Sequence, residues 1–529
     1  MIGDSVSRAT GPGHGQAATG AAKASVIVER LFDPVLRLVL GMVAANVLLA
    51  TFALQVAHVR DQFKVGDNAG VWMTLAKEAG DGQLYRPLFD GSFYGGTRYM
   101  PIPILSYAAV EKASGSLLAS GKVLSYLFAF AVVAVLIVIL RSRGCSMVAS
   151  LALVSVIFVT QVGLLAAAGI HFDTPATLFQ LLALWLVSRS ESPKGVAGAA
   201  VLCAVALLSK LNAIWAPIAI GIWLLARSRK MFGAFAAVYL MAVGIGIGLF
   251  ELASHGRFWT NISTLGFAGY HGSLGESNSG ATFGVGADRL LSYAHTHGDA
   301  VFWLFPIALL AVGAAFVRRR PTVYEVSFLT IIPILFFLYR DEGADYNHLI
   351  DPAALTVIAI GGLWGASRPR LAEFTWLRAA IAVALVAAVA NAFHPVLYAE
   401  TEAALKQLTG RIPDPYPRNT PLSSAIASAD RLLSEDPYIP ITLGKRPVVE
   451  DQFMYLRLMR THPDWAHALA AQVRGRRFDK IVLEAPILYG LRVGHFGPEV
   501  NQAIRSNYTL VKVEKTVGQG YYHWLYVPR

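Results

Sequence analysis

Long apolar runs separated by short polar breaks recur along most of this chain, and no other feature narrows its possible folds so far. A membrane-spanning helix needs roughly 20 apolar residues. A bilayer core admits only helices and closed barrels, because backbone polar groups find no water there. These runs are too long and too continuous for barrel strands, so the chain reads as a polytopic α-helical membrane protein. Its 55% hydrophobic and 15% charged residues place it outside the soluble range.

The basic residues fix an orientation. Arg141, Arg143, Arg189, Lys194, Arg227, Arg229, Lys230, Arg318, Arg319, Arg320, Arg368 and Arg370 all fall in alternate breaks, as cytoplasmic loops require. Much of the formal charge of +11 is therefore anchoring rather than a nucleic-acid footprint, and no nucleic-acid motif accompanies it. The apolar runs cover 35–56, 121–140, 147–168, 173–188, 195–209, 213–226, 232–252, 300–317, 323–339, 349–366 and 376–394, about eleven spans. With the N-terminus cytoplasmic, this count leaves every basic cluster inside and the tail outside. Cys145 and Cys203 have neither disulfide nor metal-ligand spacing.

Three parts follow. Residues 1–30 are rich in Gly, Ala, Ser and Thr and read as a disordered cytoplasmic N-terminus. Residues 31–396 form the transmembrane domain. Its first outer loop, 57–120, holds an interfacial helix starting near Asp67, and 99–118, broken by Pro101 and Pro103, reads as a second helix lying at the interface. A second outer loop, 253–299, is Gly- and Ser-rich and expected to order or move near a substrate. Residues 397–529 alternate strand-like and helix-like stretches, with strands at 438–444, 479–485, 508–516 and 520–527, and read as a small extracytoplasmic α/β domain. That domain shows no metal cluster in its sequence and reads as a lid or recognition module.

The residues able to do chemistry collect in the breaks that face outward: Asp67, His171 with Asp173, Lys210 with Asn212, and the stretch from Arg340 to Asp351. An ordinary reading stands beside each functional one. Asp67 precedes a helical run and would serve as an N-cap. Asp173 before Thr-Pro is an ordinary helix start, yet an imidazole and a carboxylate two residues apart also suit a divalent ion. Lys210 lies between two apolar runs, where an unpaired charge is expensive; it either meets a phosphate or snorkels to the interface. Arg340, Asp341, Asp345, Tyr346, Asn347, His348 and Asp351 form the densest polar cluster, suited to a sugar or its phosphate or simply to a solvated loop.

In order and sidedness these segments resemble the GT-C class of integral-membrane glycosyltransferases. The likeness is greatest to the bacterial family related to protein O-mannosyltransferases and the lipid A aminoarabinose transferase (glycosyltransferase 39/83-like). It spans about residues 35–366 and rests on GDNAGVWMTLAKEAGDGQLYRPLFDG around Asp67, RYMPIP at 98–103, GIHFDTPATLFQLLALWL at 169–186, SKLNAIWAP at 209–217 and GADYNHLIDPAAL at 343–355. Relatives often carry Glu at the position of Asp351, and His348 interrupts their usual apolar residues. The resemblance implies inverting transfer of a sugar from a polyprenyl-phosphate donor to a lipid, glycan or protein acceptor of the cell envelope, on the outer face of the bacterial inner membrane. It implies Asp67 as the general base. Lys210 and Asn212 are then donor contacts, with Arg98, Tyr99, Arg340, Tyr346, Asn347, His348 and Asp351 as further phosphate or sugar contacts. His171 and Asp173 form a second acidic site, and a divalent cation, if used, would draw on Asp67, His171 and Asp173. The rival function is a transporter or flippase of a lipid-linked or polar substrate. Such proteins carry internal repeats and midplane polar groups, whereas here no repeat is evident and the polar groups gather on one side.

Overall fold

The computed structural model describes residues 14–190, 192–266, 283–297, 299–341, 344–367, 373–417, 420–484, 486–487, 496–515 and 522–529. Every apolar run of the sequence is helical. Six helices are long and apolar enough to cross a membrane unaided: Pro34–His58, Leu117–Ser142, Arg229–Ala253, Ala300–Val317, Tyr346–Ala366 and Trp376–Leu408. Thr174–Arg189, Pro193–Leu207, Trp215–Arg227 and Val323–Leu338 are shorter. The protein is a multi-pass helical membrane protein, and length and apolarity alone support six or seven of the eleven expected spans. Side chains such as Leu136, Ile139, Ala152, Leu184 and Ala354 fill the core between these helices. Leu240, Leu249, Leu252, Leu310 and Val317 face outward from them, as lipid-facing surface does.

The run at 147–168 is not one straight span. Met147–Phe158 and Gln161–Ala168 meet at 91°, because Thr160 starts a new helix. Its Oγ1 accepts from Gly163 N at 3.0 Å and donates to the Ile157 carbonyl at 2.6 Å. A Cβ at Gly163 would sit 1.8 Å from that same carbonyl, so the bend needs the glycine. The N-terminal helix also starts earlier than expected, at His14. Alanines over 14–30 favour helix, against the disorder read from composition; residues 1–13 lie outside the described residues. Helices Arg257–Gly266 and Phe283–His297 occupy both ends of the 253–299 loop, while 267–282 lie outside the described residues. The segment 99–118 holds the 14-residue helix Pro101–Ser114, ended by Gly115 in the left-handed region at φ +69°.

The C-terminal part carries a four-stranded sheet, β1 (Leu432–Ser434), β2 (Lys480–Leu483), β3 (Tyr508–Lys515) and β4 (Tyr522–Pro528), in the order β1-β2-β4-β3. β1 and β2 run parallel, and β4 lies antiparallel to both β2 and β3. The stretch 438–444, expected as a strand, contains the helix Tyr438–Thr442 instead. Asp436 Oδ1 accepts from Tyr438 N at 2.8 Å, and a carboxylate taking a backbone N–H two residues on turns the chain into a helix start.

This C-terminal unit is laced to the loop that follows the first long helix. Tyr94 N donates to the Val448 carbonyl at 2.7 Å, and Glu450 N to the Tyr94 carbonyl at 2.9 Å. Arg86, buried, pairs with Glu78 and lies 3.4 Å from Glu450. Helix Asp67–Gly80 packs on Tyr438–Thr442 through Gly70, where a Cβ would come within 2.2 Å of Tyr438 N. Beneath this loop, Lys122 is wholly buried and donates to the carbonyls of His58 at 2.6 Å and Phe63 at 2.8 Å.

Candidate active site

Between the helix bundle and the C-terminal unit lies a cavity of about 980 Å³. Its lining joins segments hundreds of residues apart: Arg98, Tyr99, His171, Asp173, Lys210, Asn212, Tyr346, Asn347 and His348. All were singled out in the sequence. Gly66 and Asn68 also line it, so the start of helix Asp67–Gly80 borders the cavity. The Asp67 side chain lies outside the described residues. By backbone the cap position belongs to Gly66 and not to Asp67, which is the first helical residue.

Asp173 is the hub. Its Oδ1 lies 2.5 Å from Lys210 Nζ, and its Oδ2 lies 2.8 Å from His171 Nδ1 and accepts from Asn347 Nδ2 at 3.0 Å. The residue holds the N-cap position of helix Thr174–Arg189, but its side chain makes no capping bond. Burial explains this choice: at 8% exposure a carboxylate is stable only when paired, and Lys210 supplies the charge. The same pairing corrects one sequence reading. Lys210 is not a lone charge at the interface. His171 and Asp173 come together as the sequence suggested, with Lys210 Nζ on the same carboxylate.

His348 sits on the 3₁₀ turn Tyr346–Leu349. Asn212 Nδ2 and His348 Nδ1 are 2.9 Å apart; with the amide donating, the ring proton is on Nε2. Asp351 does not line the cavity. It is held one turn behind, where Thr177 Oγ1 donates to its Oδ1 at 2.5 Å. Asn347 and Asp351 thus reach Asp173 and Thr177, two pairs each four residues apart, which locks helix Thr174–Arg189 against the turn and the helix Ile350–Ala366. Arg340 is likewise not among the lining residues.

Other lining groups were missed in the sequence. Gln452 and Phe453 enter from helix Gln452–Thr461 of the C-terminal unit, as does Asp451, whose Oδ1 accepts from Met454 N at 3.0 Å and caps that helix. Behind them Arg457 and Arg98 share one carboxylate: Arg457 Nη2 lies 2.5 Å and Arg98 Nη1 3.2 Å from Asp341. The Arg98 and Arg457 guanidinium groups also face the Phe453 ring, at 5.7 and 4.4 Å, a stacking that arginine favours. Trp72 and Tyr99 pack against each other at 4.1 Å on the opposite wall. The arrangement offers buried cations, amides and aromatic faces to a ligand that is part anionic and part carbohydrate-like.

No protein-family model matches the sequence, and no curated protein matches it either. Solved structures do match. ArnT from Cupriavidus metallidurans bound to undecaprenyl phosphate superposes with a TM-score of 0.55 at 14% identity, over 92% of this chain and 98% of that one. Its apo form gives 0.53 at 13% identity, over 96% and 98%. The apo oligosaccharyltransferase of Archaeoglobus fulgidus gives 0.50 at 12% identity, over 79% of this chain and 65% of that one. At such identities the likeness speaks for architecture, and the architecture is shared along nearly the whole length: the protein has the fold of the GT-C membrane glycosyltransferases.

Proposed function

We propose that the protein transfers a sugar, with inversion, from a polyprenyl-phosphate donor to a lipid, glycan or protein acceptor at the outer face of the inner membrane. The observation that carries this reading is the single cavity in which Lys210, Asn347, His348 and the head of helix Asp67–Gly80 converge. An ammonium has three N–H donors; Asp173 takes one from Lys210, and the others suit a phosphate at the bilayer edge. Asp173 in turn keeps the lysine charged and aimed. Asn347, Asn212 and the Nε2–H of His348 supply the neutral donors that sugar hydroxyls and phosphate oxygens need, while Trp72 and Tyr99 offer faces to a sugar ring. The apolar helices outside the cavity accommodate the prenyl chain. A donor fed from the membrane and an acceptor fed from the side of the C-terminal unit then meet over Asp67. As general base, Asp67 would take the acceptor proton as the hydroxyl attacks the anomeric carbon. That transfer also explains why the polar groups gather at one end of the bundle.

The test is Asp67→Asn in the purified, detergent-solubilised protein. Transfer from a polyprenyl-phosphate sugar falls by at least ~100-fold, within the range a positioned base contributes, while donor binding holds. Turnover within about threefold of the parent would remove Asp67 from the chemistry.

A further inference from the structure

The sheet of the C-terminal unit brings together side chains that the transfer reaction does not use. In β1 and β2, Ser434 pairs with Val482 in parallel register, and two residues further on Asp436 comes level with Glu484. In β2 and β4, Leu483 pairs with Trp524 antiparallel, which sets Glu484 opposite His523. Asp436, Glu484 and His523 thus form one row across three neighbouring strands, just at and past the ends of β1 and β2. One ligand atom from each lies within 4.8 Å of the others, and Asp436 Oδ2 is 3.8 Å from His523 Nε2. Tetrahedral ligands at about 2.1 Å from a metal lie roughly 3.4 Å apart, so little side-chain movement would close the set.

The row is built rather than incidental. Asp436 and His523 are only 3% and 7% exposed. Tyr438 N holds Asp436 Oδ1 at 2.8 Å, which turns Oδ2 towards His523. Glu435 Oε2 accepts from Glu484 N at 2.6 Å and fixes the backbone there. Backing of this kind orients metal ligands. A separate cavity of about 50 Å³, also bordered by Glu514 and Lys515, is lined by Asp436 and His523; it has room for a water as a fourth ligand. Carboxylates set side by side in a sheet repel; Glu514, opposite His523 in register, is already paired with Lys512 at 3.0 Å.

We propose that Asp436, Glu484 and His523 bind one divalent first-row cation of the zinc or manganese class, which mixed oxygen and nitrogen ligands suit. The ion clamps β1, β2 and β4 at the end of the sheet that meets Gln62 and Val65 of the first loop. It is structural and independent of the proposed transfer reaction.

The full chain, purified in detergent, is stripped with chelator, reloaded separately with Zn²⁺, Mn²⁺ and Co²⁺, and desalted. Metal analysis then gives about one ion per chain, with a raised melting temperature, and Co²⁺ gives visible d–d bands. Asp436→Asn and His523→Gln each lower affinity by at least ~10-fold, as loss of a ligand does, and His467→Ala, at an exposed histidine of the same unit, leaves it unchanged. Glu484→Gln, which keeps the side chain's shape, serves if either of those variants fails to fold. Absence of a stoichiometric ion in the unaltered protein overturns the proposal. Retention of the ion at parental affinity in the folded variants overturns it equally.

Discussion

Lys210 Nζ lies 2.5 Å from Asp173 Oδ1, joining a break between two short helices to the N-cap of a third. The pair is nearly buried, so each charge depends on the other. Lys210→Ala is expected to weaken binding of a labelled polyprenyl phosphate by ~10- to 100-fold, the loss of a charge-assisted contact of about 1.5–3 kcal/mol. Asp173→Asn keeps the shape but not the charge and should weaken the same binding by a smaller factor. Equal donor affinity in Lys210→Ala and the parent would return this lysine to a purely structural role.

Arg457 and Asp341 form a buried pair across the seam between the C-terminal unit and the bundle. Removing one partner of such a pair typically costs about 3–5 kcal/mol. Arg457→Met should therefore lower the melting temperature clearly in a detergent melt, and Arg98→Met, at a more exposed partner of the same carboxylate, should lower it less. Equal effects of the two substitutions would mean that the seam does not rest on Arg457.

Glu450 carries a pH dependence whose sign is fixed by its surroundings. Burial pushes its carboxyl up to about 8, with Arg86 opposing. In the unfolded chain it ionises near 4.5, so between these values the folded protein holds a proton that the unfolded chain has lost. Stability from this group is full below the lower value and falls as pH rises through the upper one, at most about 1.4 kcal/mol per pH unit. Melting curves from pH 5 to 8.5 should show the decline, and Glu450→Gln should flatten it; an unchanged slope in that variant would exclude Glu450 as its source.

Gly70 meets the backbone of Tyr438 too closely for any side chain. Gly70→Val should destabilise by about 1–3 kcal/mol through overpacking and displace the head of helix Asp67–Gly80, lowering transfer more than donor binding. Gly233→Ala, with open space around it, is the neutral comparison. Full transfer activity in Gly70→Val would show that this contact does not set the position of Asp67.

Much of the fold was legible because burial in lipid leaves a blunt signature. Continuous apolar runs marked the helices, and Arg and Lys marked their ends. The positions of Asp173, Lys210, Asn212 and Asn347 could be read as candidates, since polar groups beside apolar runs need a reason. Their partners could not, because Asp173 meets Asn347 across 174 residues and no local pattern encodes that. The bend at Thr160 was hidden by the apolar residues on both sides of it. The helix at Tyr438–Thr442 was hidden by its β-branched content, which Asp436 overrides by one backbone bond. Arg457 gave no signal beyond an ordinary amphipathic helix, and the row Asp436–Glu484–His523 exists only once the strands pair.

The two backbone bonds at Tyr94 bear on how the molecule can be assembled and cut. They stitch a segment made early in synthesis to one made more than 350 residues later, so the first loop reaches its final shape only when the end of the chain arrives. A protein shortened before the sheet would lose a wall of the cavity and also the frame that orders the opposite wall. A chain expressed as two fragments, divided after Arg411, would by the same stitching hold together without a covalent link. The C-terminal unit is thus bound into the wall of the cavity by backbone bonds as well as by the Arg457–Asp341 pair.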